Sequence, residues 1–379
     1  MQLFTHIYQL KLIPPTGNYY TFTNNGSQFT CAQAEVTKEA ADWYAYFPGN
    51  EVDLTNQTGN FADVANKFAV AGGTALATTG EKGLSITLKP KVAVLRIVAV
   101  DKNGILDIHV KTADGKWVKG LTATKNAAEF TVSTSDTKTT LLHKAEGTVN
   151  AGEINYVVVP AGVKIEIYNG DLLLNKTKDA GLTAGKYYTI TSGPTKGTET
   201  ATLANGTTET VEWVQLWAGG PRFATQNVAE EMTWTDAANT GKEYVWGENW
   251  RTPTAAEVTE EGGLQAEWNT KEGKWVVKEG SPTINVTTKD GIEETVEFTG
   301  VQPGYTKNTL TLYNKIDSHG YSHFNFWTTT ENNGYGCMYR IMIDKGIIGI
   351  FGPSSFESKD TKCLVRPVLS IQNITNNKK

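Results

Sequence analysis

The chain is poor in cysteine and has neither a long apolar run nor an excess of positive charge. Its three cysteines cannot all pair, so no disulfide framework sets the fold. No stretch of about 20 apolar residues occurs, which excludes a membrane-spanning helix. The net charge of -5 comes from interspersed signs, leaving no basic field for nucleic acid or an anionic membrane. Residues 1–15 lack the basic region, apolar run and small-residue cleavage site of a secretory leader.

Chemical signatures are scarce too. No glycine-rich phosphate loop appears, and no serine, histidine and aspartate stand in a nucleophile context. Carboxylates are scattered, so no hydrolase pair stands out. His319 and His323 are spaced i,i+4, which binds zinc only on a helix, and Gly320 between them argues against one. No catalytic residue, metal or cofactor is therefore expected.

What is present points to strands and turns. Aromatics make up 10% of the chain, glycines number 37, and threonine is abundant throughout. At 379 residues, two or three separately cored domains fit. Residues 42–48 (DWYAYFP) read as an aromatic strand closed by proline, and 84–88 alternate apolar and polar. Residues 92–100 (VAVLRIVAV) have too few polar positions to face water on either side. Residues 105–110 alternate and end at the Asp114-Gly115 turn, and 156–160, 163–168 and 186–191 give three more strands. Many short strands without helical periodicity predict a Greek-key β-sandwich over 1–193, either undivided or in two sub-domains with a break near 120–150. Residues 194–208, rich in glycine and threonine, read as a linker or an exposed hairpin.

Residues 245–257 (VWGENWRTPTAAE) carry the most positional information. Thr254 and Glu257 form a capping box, and Pro253 forces Thr252 to arrive extended, so a helix begins at 255. Thr233 caps a second short helix toward Asn239, with Gly241 as its stop. The Gly262-Gly263 pair ends or kinks the first helix before residues 264–268, and 273–300 give three short strands. Cys337 and Cys363 lie in strand-like segments and are either a cross-strand disulfide or two buried thiols, while Cys31 reads as an inert, partly buried thiol. Seven of the ten tryptophans fall between 213 and 275, and Trp213, Trp217, Trp234 and Trp250 read as core. Trp246 and Trp268, beside polar or glycine-rich loops, are the two expected to show a face to solvent.

Two resemblances follow from ordered motifs. The succession 213–217 (WVQLW), 222–227 (RFATQN), 247–257 (GENWRTPTAAE), 326–331 (FWTTTE) and 365–368 (VRPV) resembles the FISUMP family of secreted bacterial modules. That family is similar to C-type-lectin-like domains and to sulfatase-modifying enzymes. It usually has leucine where Thr252 stands, which predicts a lost apolar contact. The closely spaced cysteine pair of the modifying enzymes is missing, and so are the Glu-Pro-Asn and Gln-Pro-Asp triplets of calcium-dependent lectins. In the first half, 43–48 (WYAYFP), 83–97 (GLSITLKPKVAVLRI), 158–162 (VVPAG) and 184–190 (AGKYYTI) resemble fimbrillin-like pilus proteins. The lipidated cysteine of those proteins has no counterpart here, and Cys31 follows no lipobox.

The combined expectation is a mainly β chain with a fimbrillin-like Greek-key sandwich over 1–193, a linker over 194–208 and an α+β C-type-lectin-like domain over 209–379. By resemblance the chain is a mature fragment without its targeting segment, secreted to the cell surface, outer membrane or fimbrium of a bacterium. It serves adhesion as a tip or accessory pilus subunit, with other pilus subunits as partners by β-strand exchange and a glycan or host protein as ligand. Trp246, Glu248, Asn249, Trp268, His319, Tyr321, His323 and Asn325 are the candidate ligand-binding residues, placed on loops. The rivals are a glycan-binding protein of a polysaccharide-uptake system and a modifying enzyme with an altered site.

Overall fold

The computed structural model describes residues 9–13, 19–24, 29–31, 41–77, 85–101, 104–202, 206–228, 231–238, 246–247, 249–260, 262–271, 274–289, 293–315, 321–344 and 347–370. It is mainly β, with strands that pair antiparallel in all sheets but one, and three helices of four to six residues among the described residues. The chain divides into two compact units, Met1–Gly193 and Pro194–Lys379.

The first unit opens with a six-stranded sheet in the order Phe29–Thr30, Tyr20–Asn24, Gln9–Ile13, Ala41–Phe47, Ala71–Ala77, Lys89–Pro90. Leu12, Phe22, Trp43, Ala45 and Phe47 of this sheet are buried in one cluster, and Ile13 and Tyr46 in another. A seven-stranded sheet follows, built on Gly104–Thr112, Trp117–Ala123 and Ile165–Asn169, and a three-stranded sheet centres on Val92–Val98. The last two sheets supply one shared apolar cluster, to which Leu95, Ile97 and Val157 come from one and Ile108, Val118 and Ile167 from the other. Val92–Val98 is buried at every position but Arg96, as its unbroken apolar run requires.

Of the undivided and divided readings of 1–193, pairing in the seven-stranded sheet leaves no break near 120–150. Leu142–Val149 pairs with Gly104–Thr112, and Trp117–Ala123 pairs with both Phe130–Ser135 and Glu51–Asp53. Residues 120–150 are therefore bonded into one sheet and are no boundary. Where Trp117–Ala123 passes Glu51–Asp53, a side chain at Gly120 would meet the Val52 carbonyl oxygen at 2.1 Å, so only glycine fits. Residues 85–88, expected as part of a strand, run outside any sheet.

In the second unit a five-stranded sheet runs Lys196–Thr202, Thr208–Gln215, Arg222–Ala224, Val368–Leu369, Trp250–Arg251. Of the two readings of 194–208, the hairpin is the one found: Lys196–Thr202 pairs with Thr208–Gln215 along seven residues, and Ala201 is fully buried. The segment belongs to this sheet and is not a linker. Two meanders follow, Thr283–Lys289 with Glu293–Thr299 and Thr309–Lys315, and Tyr321–Asn332 with Tyr335–Asp344 and Ile347–Glu357.

Both expected caps form. Thr233 accepts from the Asp236 amide at the start of Trp234–Ala237, and Thr254 with Glu257 makes the full capping box of Ala255–Thr259. The first of these helices ends at Ala237, while Asn239 and Gly241 lie outside the described residues. The second ends at Thr259, with Gly262 at φ +80°, and 266–269 form a strand rather than more helix. With two one-turn helices, the unit is far richer in strand than an α+β expectation implies.

Trp213, Trp217 and Trp250 are core residues and Trp234 is half-buried. Of the two readings of Cys337 and Cys363, the structure has both as free, buried thiols. Burial pushes the Cys363 thiol up to about 12, which removes it from reactive chemistry.

Candidate functional site

Of the residues expected to form a ligand-binding loop surface, Trp246, Asn249, Trp268, Tyr321, His323 and Asn325 fall among the described residues. Trp246 is buried, its ring edge-on to Trp250 at 5.9 Å, and its carbonyl accepts from the Thr202 amide at 2.9 Å. It packs inward with Ala201, Val211 and Trp213, because an indole beside a tight turn gains more from a core than from water. The expectation of an exposed Trp246 is corrected accordingly. Asn249 is tied by its amide to Glu199 at 3.2 Å, and its carbonyl accepts from Ser370. Glu248 and His319 lie outside the described residues.

Tyr321, His323 and Asn325 are not on a loop. They sit in the strand Tyr321–Asn332, opposite Asp344, Met342 and Arg340 respectively. Asn325 is half-buried. Trp268 pairs with Trp275 across the hairpin Ala266–Asn269 and Lys274–Val277. Tyr321, His323 and Asn325 stand two residues apart and so share one face of a strand.

The turn at 250–257 is structural. Arg251 donates to both carboxylate oxygens of Glu257, 2.8 Å to Oε2, and the Thr254 amide donates to the same oxygen at 2.8 Å. Thr252, where an apolar contact was expected to be lost, is fully buried and donates its hydroxyl to the Ala237 carbonyl at 2.5 Å. A polar bond to a helix end replaces the apolar contact. Burial alone would raise the Glu257 carboxyl, but Arg251 and the Thr254 amide outweigh it and hold the group below its usual range. A depressed folded value means that the stabilisation is complete above about pH 4.3 and is lost as pH falls through that folded value. Glu257→Gln should therefore cost the second unit about 1 kcal/mol at pH 7 and flatten its stability between pH 5 and 3, followed by urea melts across that range.

The arrangement with most scope for binding lies in the first unit, on the three-stranded sheet. Val92–Val98 is its centre, paired antiparallel with Ile154–Pro160 and parallel with Tyr187–Thr191. The two edges differ. Along Ile154–Pro160, the Tyr156 amide donates to the Gly59 carbonyl at 2.8 Å and the Val158 amide to Oε1 of Gln57 at 2.7 Å. Nε2 of Gln57 donates in turn to the Val158 carbonyl at 2.9 Å, so this edge is closed.

Along Tyr187–Thr191, the Val94 amide donates to the Lys186 carbonyl and the Ser192 amide to the Val98 carbonyl. Those two bonds fix the alternation of a parallel ladder. Backbone groups of Tyr188 and Ile190 face Val92–Val98, and those of Tyr187, Thr189 and Thr191 face away. Among the described residues, no strand pairs with that outer side.

The same alternation puts Val94, Arg96, Tyr156 and Tyr187 on one face, since Tyr156 stands opposite Arg96 and Tyr187 opposite Val94. Phe61 opens the helix Phe61–Asn66 and meets Tyr156 edge-on at 5.1 Å. Together they line a groove of about 310 Å³. The Arg96 guanidinium lies 5.4 Å from the centre of the Tyr187 ring. None of these was singled out from sequence, although one signal existed: Arg96 is the single charged residue in the run 92–100.

Among the described residues no group of three or more potential metal ligands occurs, and no helix is long and apolar enough to cross a membrane. No protein-family profile matches the chain, and no curated protein sequence does. Among solved structures, a candidate cell adhesion protein of Bacteroides uniformis aligns with 54% of this chain and 90% of its own at 15% identity and a TM-score of 0.30. One of Bacteroides ovatus aligns with 54% and 84% at 12% identity and 0.30. One of Bacteroides thetaiotaomicron aligns with 49% and 78% at 14% identity and 0.27.

Proposed function

We propose that the chain is a bacterial cell-surface adhesion protein that joins pilus subunits by accepting a β-strand along Tyr187–Thr191. One observation carries this reading: of the two edges of the three-stranded sheet, one is sealed by Gln57 and Gly59, and the other presents the backbone groups of Tyr187, Thr189 and Thr191 with no partner strand among the described residues. An unpaired edge is a template for a strand from another chain, and folded proteins otherwise cover or charge such edges. The side chains of Tyr187 and Thr189 are exposed beside it.

The motifs supply the rest. In this reading the first unit is a fimbrillin-like Greek-key sandwich, and the second is a C-type-lectin-like FISUMP module that presents the ligand-binding surface. The chain is a secreted tip or accessory subunit, and it performs no catalysis.

Thr189→Pro tests the proposal. Proline is tolerated where the amide faces away from the sheet, and its predecessor Tyr188 is already extended, so the fold is kept. Removing the outward amide and placing a ring on the edge should reduce incorporation of the full chain into purified fimbriae of its own bacterium about tenfold or more, with an unchanged melting midpoint. Equal incorporation of the variant and the parent chain would refute strand acceptance at this edge.

A further inference from the structure

We infer that the groove over Val94 is a binding site for an acidic saccharide, with Arg96 as the carboxylate anchor and Tyr187 and Phe61 as ring platforms. This site is on the first unit and owes nothing to the strand edge beyond sharing Tyr187.

Three observations meet there. Large apolar side chains normally turn away from water, yet Tyr187 is 55% and Phe61 39% exposed, and both line the same groove. Flat rings standing in solvent suit the apolar C–H face of a pyranose, which lies against an aromatic ring while its hydroxyls stay hydrated at the rim. Tyr156 and Tyr187 add phenol groups at that rim, able to donate to or accept from hydroxyls. At about 310 Å³, the groove is near the roughly 300 Å³ lower bound of small-ligand sites, room for a sugar ring or two.

The second observation is the charge. Arg96 is the only position of Val92–Val98 that is not buried, so the strand spends its one opening on a guanidinium. Among the described residues no carboxylate pairs with it, and its guanidinium lies over the Tyr187 ring. A guanidinium held over a ring keeps its fork of donors free for a carboxylate, in the bidentate geometry that arginine favours.

The third is the character of the lining. Apart from Val94, the walls are rings and a guanidinium, with no deep aliphatic pocket for an amino-acid side chain. A peptide has better purchase on the backbone edge than on this face. One arginine in a chain of net charge -5 is too little for nucleic acid. A hexuronate-containing glycan combines the apolar ring face and the carboxylate that the groove matches.

The test is titration calorimetry of the full chain with three hexuronate probes: oligogalacturonate, oligomannuronate and heparosan oligosaccharide. At least one should bind, and Arg96→Gln and Tyr187→Ala should each weaken it about tenfold or more. Methyl esterification of oligogalacturonate should do the same to that probe. Thr189→Pro, which alters the edge opposite Arg96 but replaces no residue of the groove lining, should bind within about twofold of the parent, so failure of strand acceptance and failure of glycan binding are read separately. Absence of binding to all three probes would overturn the inference, as would an affinity that both Arg96→Gln and Tyr187→Ala leave unchanged. Equal binding of a polyglutamate peptide with the same loss in both variants would make the ligand a peptide and overturn it too.

Discussion

Replacing Gln57 by leucine should destabilise the first unit by about 3–5 kcal/mol, more than any surface change in that unit. The side chain is buried and fully used: Nε2 donates to the Leu54 and Val158 carbonyls, both at 2.9 Å, and Oε1 accepts from the Val158 amide at 2.7 Å. Its own amide donates to the Leu141 carbonyl at 2.7 Å, beside the strand Leu142–Val149 of the seven-stranded sheet. Gln57 thus ties the seven-stranded and three-stranded sheets together across their common core. Leucine fills a similar volume but leaves three buried backbone groups without partners, each costing about 1–3 kcal/mol. The loss should appear in urea unfolding and, locally, as faster amide exchange in Ile154–Pro160. A change below about 1 kcal/mol would mean that water or a shifted backbone replaces the amide. The same substitution unseals the closed edge, so self-association of the variant is the accompanying expectation.

Arg366→Ala should cost the second unit a comparable 3–5 kcal/mol. Arg366 is 1% exposed, and its guanidinium donates to the Ala224 carbonyl at 3.0 Å and the Thr311 carbonyl at 3.1 Å. Those carbonyls belong to Arg222–Ala224 and Thr309–Lys315, strands of different sheets, so the side chain is a bridge between them. Burial pulls its pKa down to about 9, a sign of how unfavourable the charge is there. Alanine leaves a cavity and two orphaned carbonyls. Methionine removes the charge while keeping most of the volume, and should cost at least 1 kcal/mol less than alanine. Eight of the ten tryptophans lie beyond residue 193, so tryptophan emission during urea unfolding follows this unit. Equal losses for alanine and methionine would assign the whole effect to the two hydrogen bonds rather than to packing.

Local signals in the sequence were read well because they depend on a few adjacent residues. The cap at Thr233, the capping box at Thr254, the break at Gly262 and the doubly buried strand at 92–98 each follow from chemistry within one or two turns of chain. The candidate site was not legible in the same way. Trp246, next to glycine and two polar residues, looks like a loop aromatic, and only its packing against Trp250, Ala201 and Val211 shows it to be core. Residues 321–325, with a tyrosine, a histidine and an asparagine, look like a binding loop until their pairing with 340–344 makes them a strand. Thr252 looks like a lost apolar contact until its hydroxyl is seen on the Ala237 carbonyl, 15 residues away.

By itself the sequence determined that the chain would be strand-rich, where its short helices start, and which stretch is buried on both sides. Those outcomes depend on backbone preference, side-chain period and capping, which act over a handful of residues. Only the tertiary structure decided which sheet edge stays open and which face carries exposed rings. An edge is open or closed according to what a distant segment brings to it, as Gln57 does for Val158 across 101 positions of chain, and no local pattern encodes that meeting.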